Sequence, residues 1–117
     1  MKRRIDAHVV MDKLVPRITE EYRKIYDIPE NHESMAIFSA DCEDVMWLAV
    51  DDATKKAKIK VIQIETVYGG VDYSWSRYGG EITAIISGEK VADVKSGLQY
   101  AKDYIETVSY THLRAHE

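Results

Sequence analysis

Ser34-Met35-Ala36-Ile37-Phe38-Ser39-Ala40 runs directly into Asp41-Cys42-Glu43-Asp44-Val45, and then into Ala49-Val50-Asp51-Asp52-Ala53-Thr54-Lys55-Lys56-Ala57. Its first seven residues hold a brief apolar run between polar ends, the mark of a buried strand. Asp41, Glu43 and Asp44 follow, placing acceptors and negative charge where a helix start has unpaired N–H groups and the positive end of its dipole. Val45, Ala49, Ala53 and Ala57 recur at i, i+4. That small-residue face lets the helix lie close against a sheet.

Towards the C-terminus, Ile59 to Val67 is rich in β-branched residues, with Val61, Ile62 and Ile64 apolar on both faces. The pattern predicts a central strand rather than an edge. A second strand of this kind is predicted from Glu81 to Ser87. The segment between them contains Tyr68, Gly69, Gly70, Val71, Tyr73, Trp75, Tyr78, Gly79 and Gly80, too much for a minimal hairpin turn. Glycine pairs at both ends permit unusual backbone angles, and loops of this length are usually functional. Val91, Val94, Leu98, Ala101 and Ile105 then share one face of a further helix. Towards the N-terminus, Arg4 to Met11 reads as a strand. Asp12 opens a helix through Val15, Ile18, Tyr22, Ile25 and Tyr26, with Pro16 in its first turn and Pro29 stopping it. The expected order is β-α-β-α-β-β-α.

The run Ser39 to Val45, the Ala53-Thr54-Lys55-Lys56-Ala57 stretch, Ile59-Lys60-Val61, Gly80-Glu81-Ile82, Ile86-Ser87-Gly88 and Val91 to Leu98 together resemble the shell proteins that tile bacterial microcompartments. The likeness extends from about Val9 to Ile105 and is strongest to the first half of the tandem-domain shell proteins of ethanolamine utilisation. It implies an α/β (α+β) fold: a permuted, ferredoxin-like BMC domain with a four-stranded antiparallel sheet and helices packed on it. It implies a structural role rather than catalysis, with copies of the chain as a homotrimer or homohexamer and other shell proteins as partners. It makes Tyr68 to Gly80 a pore loop around a rotation axis, and Lys55 a contact at the tile edge. The same resemblance gives Glu43, Asp44 and Glu81 a place in a small pocket for an amine metabolite such as ethanolamine. Without it, Lys55 is a solvated helix residue, Glu43 and Asp44 cap a helix and Glu81 faces water.

A length of 117 residues suits one domain with a modest core, expected over residues 1–108. Ser109 to Glu117 continues no apolar periodicity and is expected to be a non-native or disordered tail. A net charge of −4 argues against non-specific nucleic-acid binding, which needs basic side chains to displace counterions. No apolar stretch approaches the roughly 20 residues that span a bilayer, so a cytosolic location in the shell is expected. A single cysteine, Cys42, leaves no internal disulfide. His8, His32 and Cys42 make no zinc spacing, and the glycine pairs fit neither a phosphate loop nor a dinucleotide fingerprint, so no metal or cofactor is expected. The competing reading is a small ferredoxin-like regulator that holds an effector with its long loop.

Overall fold

The computed structural model describes residues 7–67 and 81–115. The elements are β1 (Val9–Val15), α1 (Glu20–Tyr26), β2 (Ser34–Ala40), α2 (Glu43–Lys56), β3 (Lys60–Val67), β4 (Glu81–Gly88) and α3 (Val91–Ala115). Their order is the one expected. The strands form a four-stranded sheet ordered β1-β2-β4-β3, antiparallel at every pairing. β2, α2 and β3 make a split βαβ unit with β4 inserted between the two parallel strands, which is the ferredoxin-like arrangement. β1 occupies the outer position beside β2 although it comes first in the chain. That displacement is the permutation.

The sheet buries apolar residues on both faces because its two central strands do. Ala36, Phe38 and Ala40 of β2, with Ile82, Ala84 and Ile86 of β4, meet Val45, Met46, Ala49, Val50 and Ala53 of α2 and Val94, Leu98, Ala101 and Ile105 of α3. On the opposite face Met35 and Ile85 join Ile18 and Ile28, against which Tyr22, Tyr26, Ile37 and Ile62 pack. The rings of Tyr22 and Tyr26 stack with centroids 6.2 Å apart, so α1 contributes an aromatic lid to this smaller cluster. The small-residue face of α2 is buried as its spacing predicts. At Gly97 of α3 an added Cβ would lie 2.8 Å from Ile59 Cδ1, so this glycine is what lets α3 close on the residue that leads into β3.

Two boundaries and the place of one strand differ from the sequence reading. Of the strand expected from Arg4 to Met11, Arg4 to Asp6 lie outside the described residues; β1 runs from Val9 and reaches Val15, because Leu14 packs on the helix-covered cluster and Val15 on the opposite one, a period of two rather than 3.6. Consequently α1 begins at Glu20, with Thr19 Oγ1 accepting from the Tyr22 N–H at 3.4 Å, and Pro16 precedes the helix. Ile25, expected on the apolar face, is 69% exposed. Finally, β3 is an edge strand within the chain, not a central one. Its apolar residues reach both faces because Ile62 is the extra residue of a bulge between Val61 and Gln63. The bulge shifts the parity, so Val61 and Ile64 reach the same cluster while Ile62 reaches the other. The backbone of α3 continues to Ala115, into the segment 109–117 set apart in the sequence. That this segment is foreign to the native frame, and that residues 1–108 make one unit, are proposals.

Phe38, fully buried at the centre of β2, should cost roughly 3–5 kcal/mol when replaced by Ala. Ile25→Ala, on the exposed side of α1, should change stability by less than about 0.5 kcal/mol, as urea unfolding of both variants would measure.

Candidate functional site

The two ends of the sheet carry different chemistry. At one end Val67 pairs with Glu81, Ala40 with Ile82 and Val9 with Ala40, so residues 68–80 connect β3 to β4 there. Those loop residues, including Tyr68, Gly69, Gly70, Val71, Tyr73, Trp75, Tyr78, Gly79 and Gly80, lie outside the described residues. What can be read is the floor from which the loop springs. Glu81 opens β4 and is half-buried; Glu43 and Asp44 form the first turn of α2, the former half-buried and the latter exposed. The topology thus brings Glu43, Asp44 and Glu81 to the same end of the sheet.

The expected helix capping is replaced by another arrangement. Cys42 occupies the N-cap without a side-chain bond, and Glu43 and Asp44 act on the helix only through the charge they place in its first turn. The Asp41 carboxylate instead accepts from the His8 backbone N–H at 2.7 Å, and the Asp41 N–H donates to the His8 carbonyl at 3.2 Å. Glu106 of α3 completes the clasp. Its Oε1 accepts from the Val9 N–H at 3.2 Å and its Oε2 lies 3.6 Å from His8 Nδ1. Asp41, Glu43, Asp44, Glu81 and Glu106 therefore all belong to this end of the sheet. Sequence reasoning did not find Glu106 or the role of Asp41, because a clasp between residues 8, 41 and 106 leaves no mark at any short spacing. The buried Cys42 thiol is pushed above its ordinary pKa, chiefly by burial, which disfavours the thiolate a nucleophile needs.

The opposite end of the sheet is basic. Lys55 lies in the last turn of α2, exposed, with its ammonium 3.0 Å from Asp51; the bond to that carboxylate holds its pKa above the ordinary range. Lys56 pairs with Asp52 at 3.2 Å and lies over the Tyr100 ring. With Lys58, Lys60 and His32, these lysines line an open groove of about 640 Å³, whose acidic wall is Glu89 and Asp93. His32 Nδ1 meets the Ser87 hydroxyl at 2.7 Å and the Arg23 guanidinium donates to the carbonyls of Pro29 and His32, so this pair pins the segment after α1 to β4. Ser87 is fully buried, so the pair is a structural pin rather than an exposed nucleophile and base. Among the described residues no group of His, Cys, Asp and Glu is placed to hold a metal ion.

Residues 34–116 match the BMC domain family. The chain belongs to the BMC domain family. It is 31% identical over 103 residues to the bacterial microcompartment shell protein EutL of Clostridium perfringens, covering 88% of this chain and 48% of that protein. Among solved structures, the ethanolamine utilization protein EutL from Leptotrichia buccalis superposes with a TM-score of 0.80 at 39% identity, over 91% of this chain and 49% of that one. A trimeric bacterial microcompartment shell protein, PduB, shares the fold with a TM-score of 0.63 at 19% identity, over 80% of this chain and 40% of its own. The chain spans about half the length of these relatives. By name, the Clostridium perfringens relative is a bacterial microcompartment shell protein.

Burial lowers the His32 pKa from its ordinary 6.5; Lys60 and Arg23 push the same way and only Glu89 opposes them. Between the lowered value and 6.5 the unfolded chain binds more protons than the folded one, so stability rises with pH across that window and is lost as pH falls through it. Urea midpoints measured above and below pH 6.5 should show this slope in the parent and a flatter one in His32→Gln.

Proposed function

We propose that this chain is a structural tile of a bacterial microcompartment shell, serving containment and the passage of small polar metabolites rather than catalysis. The observation that carries the reading is the BMC domain match laid over a sheet whose β3–β4 loop and whose Lys55 stand at opposite ends. In this reading copies of the unit meet head to tail around an axis, with the loop end inward and the lysine end outward. The loop Tyr68 to Gly80 then surrounds the opening. Its partners are further copies of the chain, as a homotrimer or homohexamer, and other shell proteins; its place in the cell is the shell. The likeness to EutL supports ethanolamine breakdown as the enclosed pathway.

Glu43, Asp44 and Glu81, at the base of the loop, favour a small cation such as protonated ethanolamine over an anion, since converging carboxylates attract it and accept its N–H bonds. Lys55 serves the outer rim. Its aliphatic stem lies along a neighbouring tile while the ammonium donates across the seam. Within the chain the ammonium lies 3.0 Å from Asp51.

Lys55→Asp should lower the unfolding midpoint slightly, through the lost Asp51 pair and an anion in the last turn of α2, while the variant still unfolds cooperatively and forms no extended sheets in electron micrographs. Unaltered sheets would remove Lys55 from the tile edge. A variant with the 68–80 loop shortened should pass small amines faster through assembled layers than the parent does. Equal rates would remove the loop from the pore.

A further inference from the structure

The groove beside Lys55 holds a titratable group that the tile reading leaves unused. His32 lines it together with Lys55, Lys56, Lys58 and Lys60, opposite Glu89 and Asp93. The imidazole is fixed there from several sides. Its Nδ1 meets Ser87 Oγ of β4 at 2.7 Å, and its backbone carbonyl accepts from the Arg23 guanidinium of α1. Its neighbours are tied to the same place: Asn31 Nδ2 donates to Glu89 Oε1 at 2.6 Å, and the Glu33 N–H donates to the Gly88 carbonyl at 3.1 Å. The ring is thus a built part of the groove wall.

More of its surroundings oppose a charge on the ring than favour one. Lys60 of β3 and Arg23 of α1 resist a further positive charge, and Glu89, at the β4–α3 junction, invites it. Further along the groove, Lys55 and Lys56 of α2 are each paired with a carboxylate, Asp51 and Asp52, and Asp93 stands in the first turn of α3. Among the described residues Lys58 and Lys60 hold no ion pair. Protonation also disturbs the bond to Ser87. A neutral ring can accept the Ser87 proton at Nδ1, but a charged ring carries N–H at both nitrogens, so the hydroxyl must turn its proton elsewhere within a fully buried site. Burial, with Lys60 and Arg23 and against Glu89, holds the His32 pKa below its ordinary 6.5 in the single unit.

In a layer built from one kind of tile, outer rim meets outer rim, so two such lysine-lined grooves approach each other. We propose that His32 makes this seam pH-sensitive: with the ring neutral the rims meet, and its protonation loosens the contact between tiles without opening the tile itself. The proposal rests on the shell-tile reading and adds a regulation of the outer rim. Contact with a neighbour takes more water from the ring and brings further lysines towards it, and both disfavour the imidazolium. The assembled layer therefore binds fewer protons than dispersed tiles do. Layers strengthen as pH rises through the titration of His32 and weaken as it falls, in a window below pH 6.5.

The full chain, taken at constant ionic strength from about pH 7.5 to about pH 5, tests this. The concentration at which layers appear, read by pelleting and electron microscopy, should rise as pH falls below 6.5, by up to about tenfold per pH unit for each His32 that must lose its proton. The sedimentation coefficient of single tiles should stay constant over the same range. In His32→Gln, whose amide can still meet Ser87, the threshold should stay within about twofold throughout. Assembly of the parent in weak buffer at about pH 6 should release protons, a readout that needs no variant. A parent threshold independent of pH, a His32→Gln threshold that rises as the parent's does, or assembly without proton release would each overturn the proposal and leave the tile reading intact. Absence of layers at every pH would overturn the tile reading itself, and this regulation with it.

Discussion

The antiparallel pairing of β2 with β4 is the constraint on which the remainder of the molecule hangs. Seven facing pairs, from Ser34 and Gly88 to Ala40 and Ile82, place both strands in the interior, with apolar side chains directed to both faces. Backbone N–H and C=O groups so placed have no water to bond, so each strand must find its partner in the other. Once that ladder exists, β1 and β3 have one open edge each to join, and α2 and α3 have one apolar face to cover. The buried hydroxyls obey the same demand: Ser34 donates to the Pro16 carbonyl at 2.6 Å and Ser87 meets His32, and no buried side-chain N or O atom among the described residues lacks a partner.

The parts of this fold that were legible in the sequence are those governed by local period. β2 could be read to the residue, and the buried face of α2 follows from Val45, Ala49 and Ala53, because strand and helix spacing are written within single elements. β1 and β3 were harder for a common reason. Each contains a bulge, at Val10 and at Ile62, and one inserted residue reverses the inward and outward alternation for the rest of the strand. Ile62 next to Val61 therefore imitated a strand buried between two neighbours. Val15 and Ile18 imitated one helical stripe with Tyr22 and Tyr26 because all four pack into one cluster, although the first two precede α1.

Of the candidate site, the family resemblance carried most, and the residues themselves carried less. Glu81 is far in sequence from the adjacent Glu43 and Asp44, and only the β2–β4 register sets it at their end of the sheet. Asp41 and Glu106 belong to the same end, and single-sequence reasoning had no means of joining them to His8. Lys55 stood out through the family resemblance alone, since its company of Lys56, Lys58 and Lys60 is what a solvated helix end produces. The separation of carboxylates from lysines along the strand direction is a product of topology: α2 starts at the loop end and finishes at the far end, carrying its acidic first turn and basic last turn with it. The helix dipole favours that same distribution, so local helix stability and the polarity of the whole unit reinforce each other.

The clasp of His8, Asp41 and Glu106 fixes the beginning of β1 beside the later turns of α3. A polypeptide leaving α3 in that neighbourhood would find the first position of the outer strand within short reach. Moving the coding segment for this strand from the head of a gene to its tail, or back, would thus leave all three ladders and both apolar clusters undisturbed.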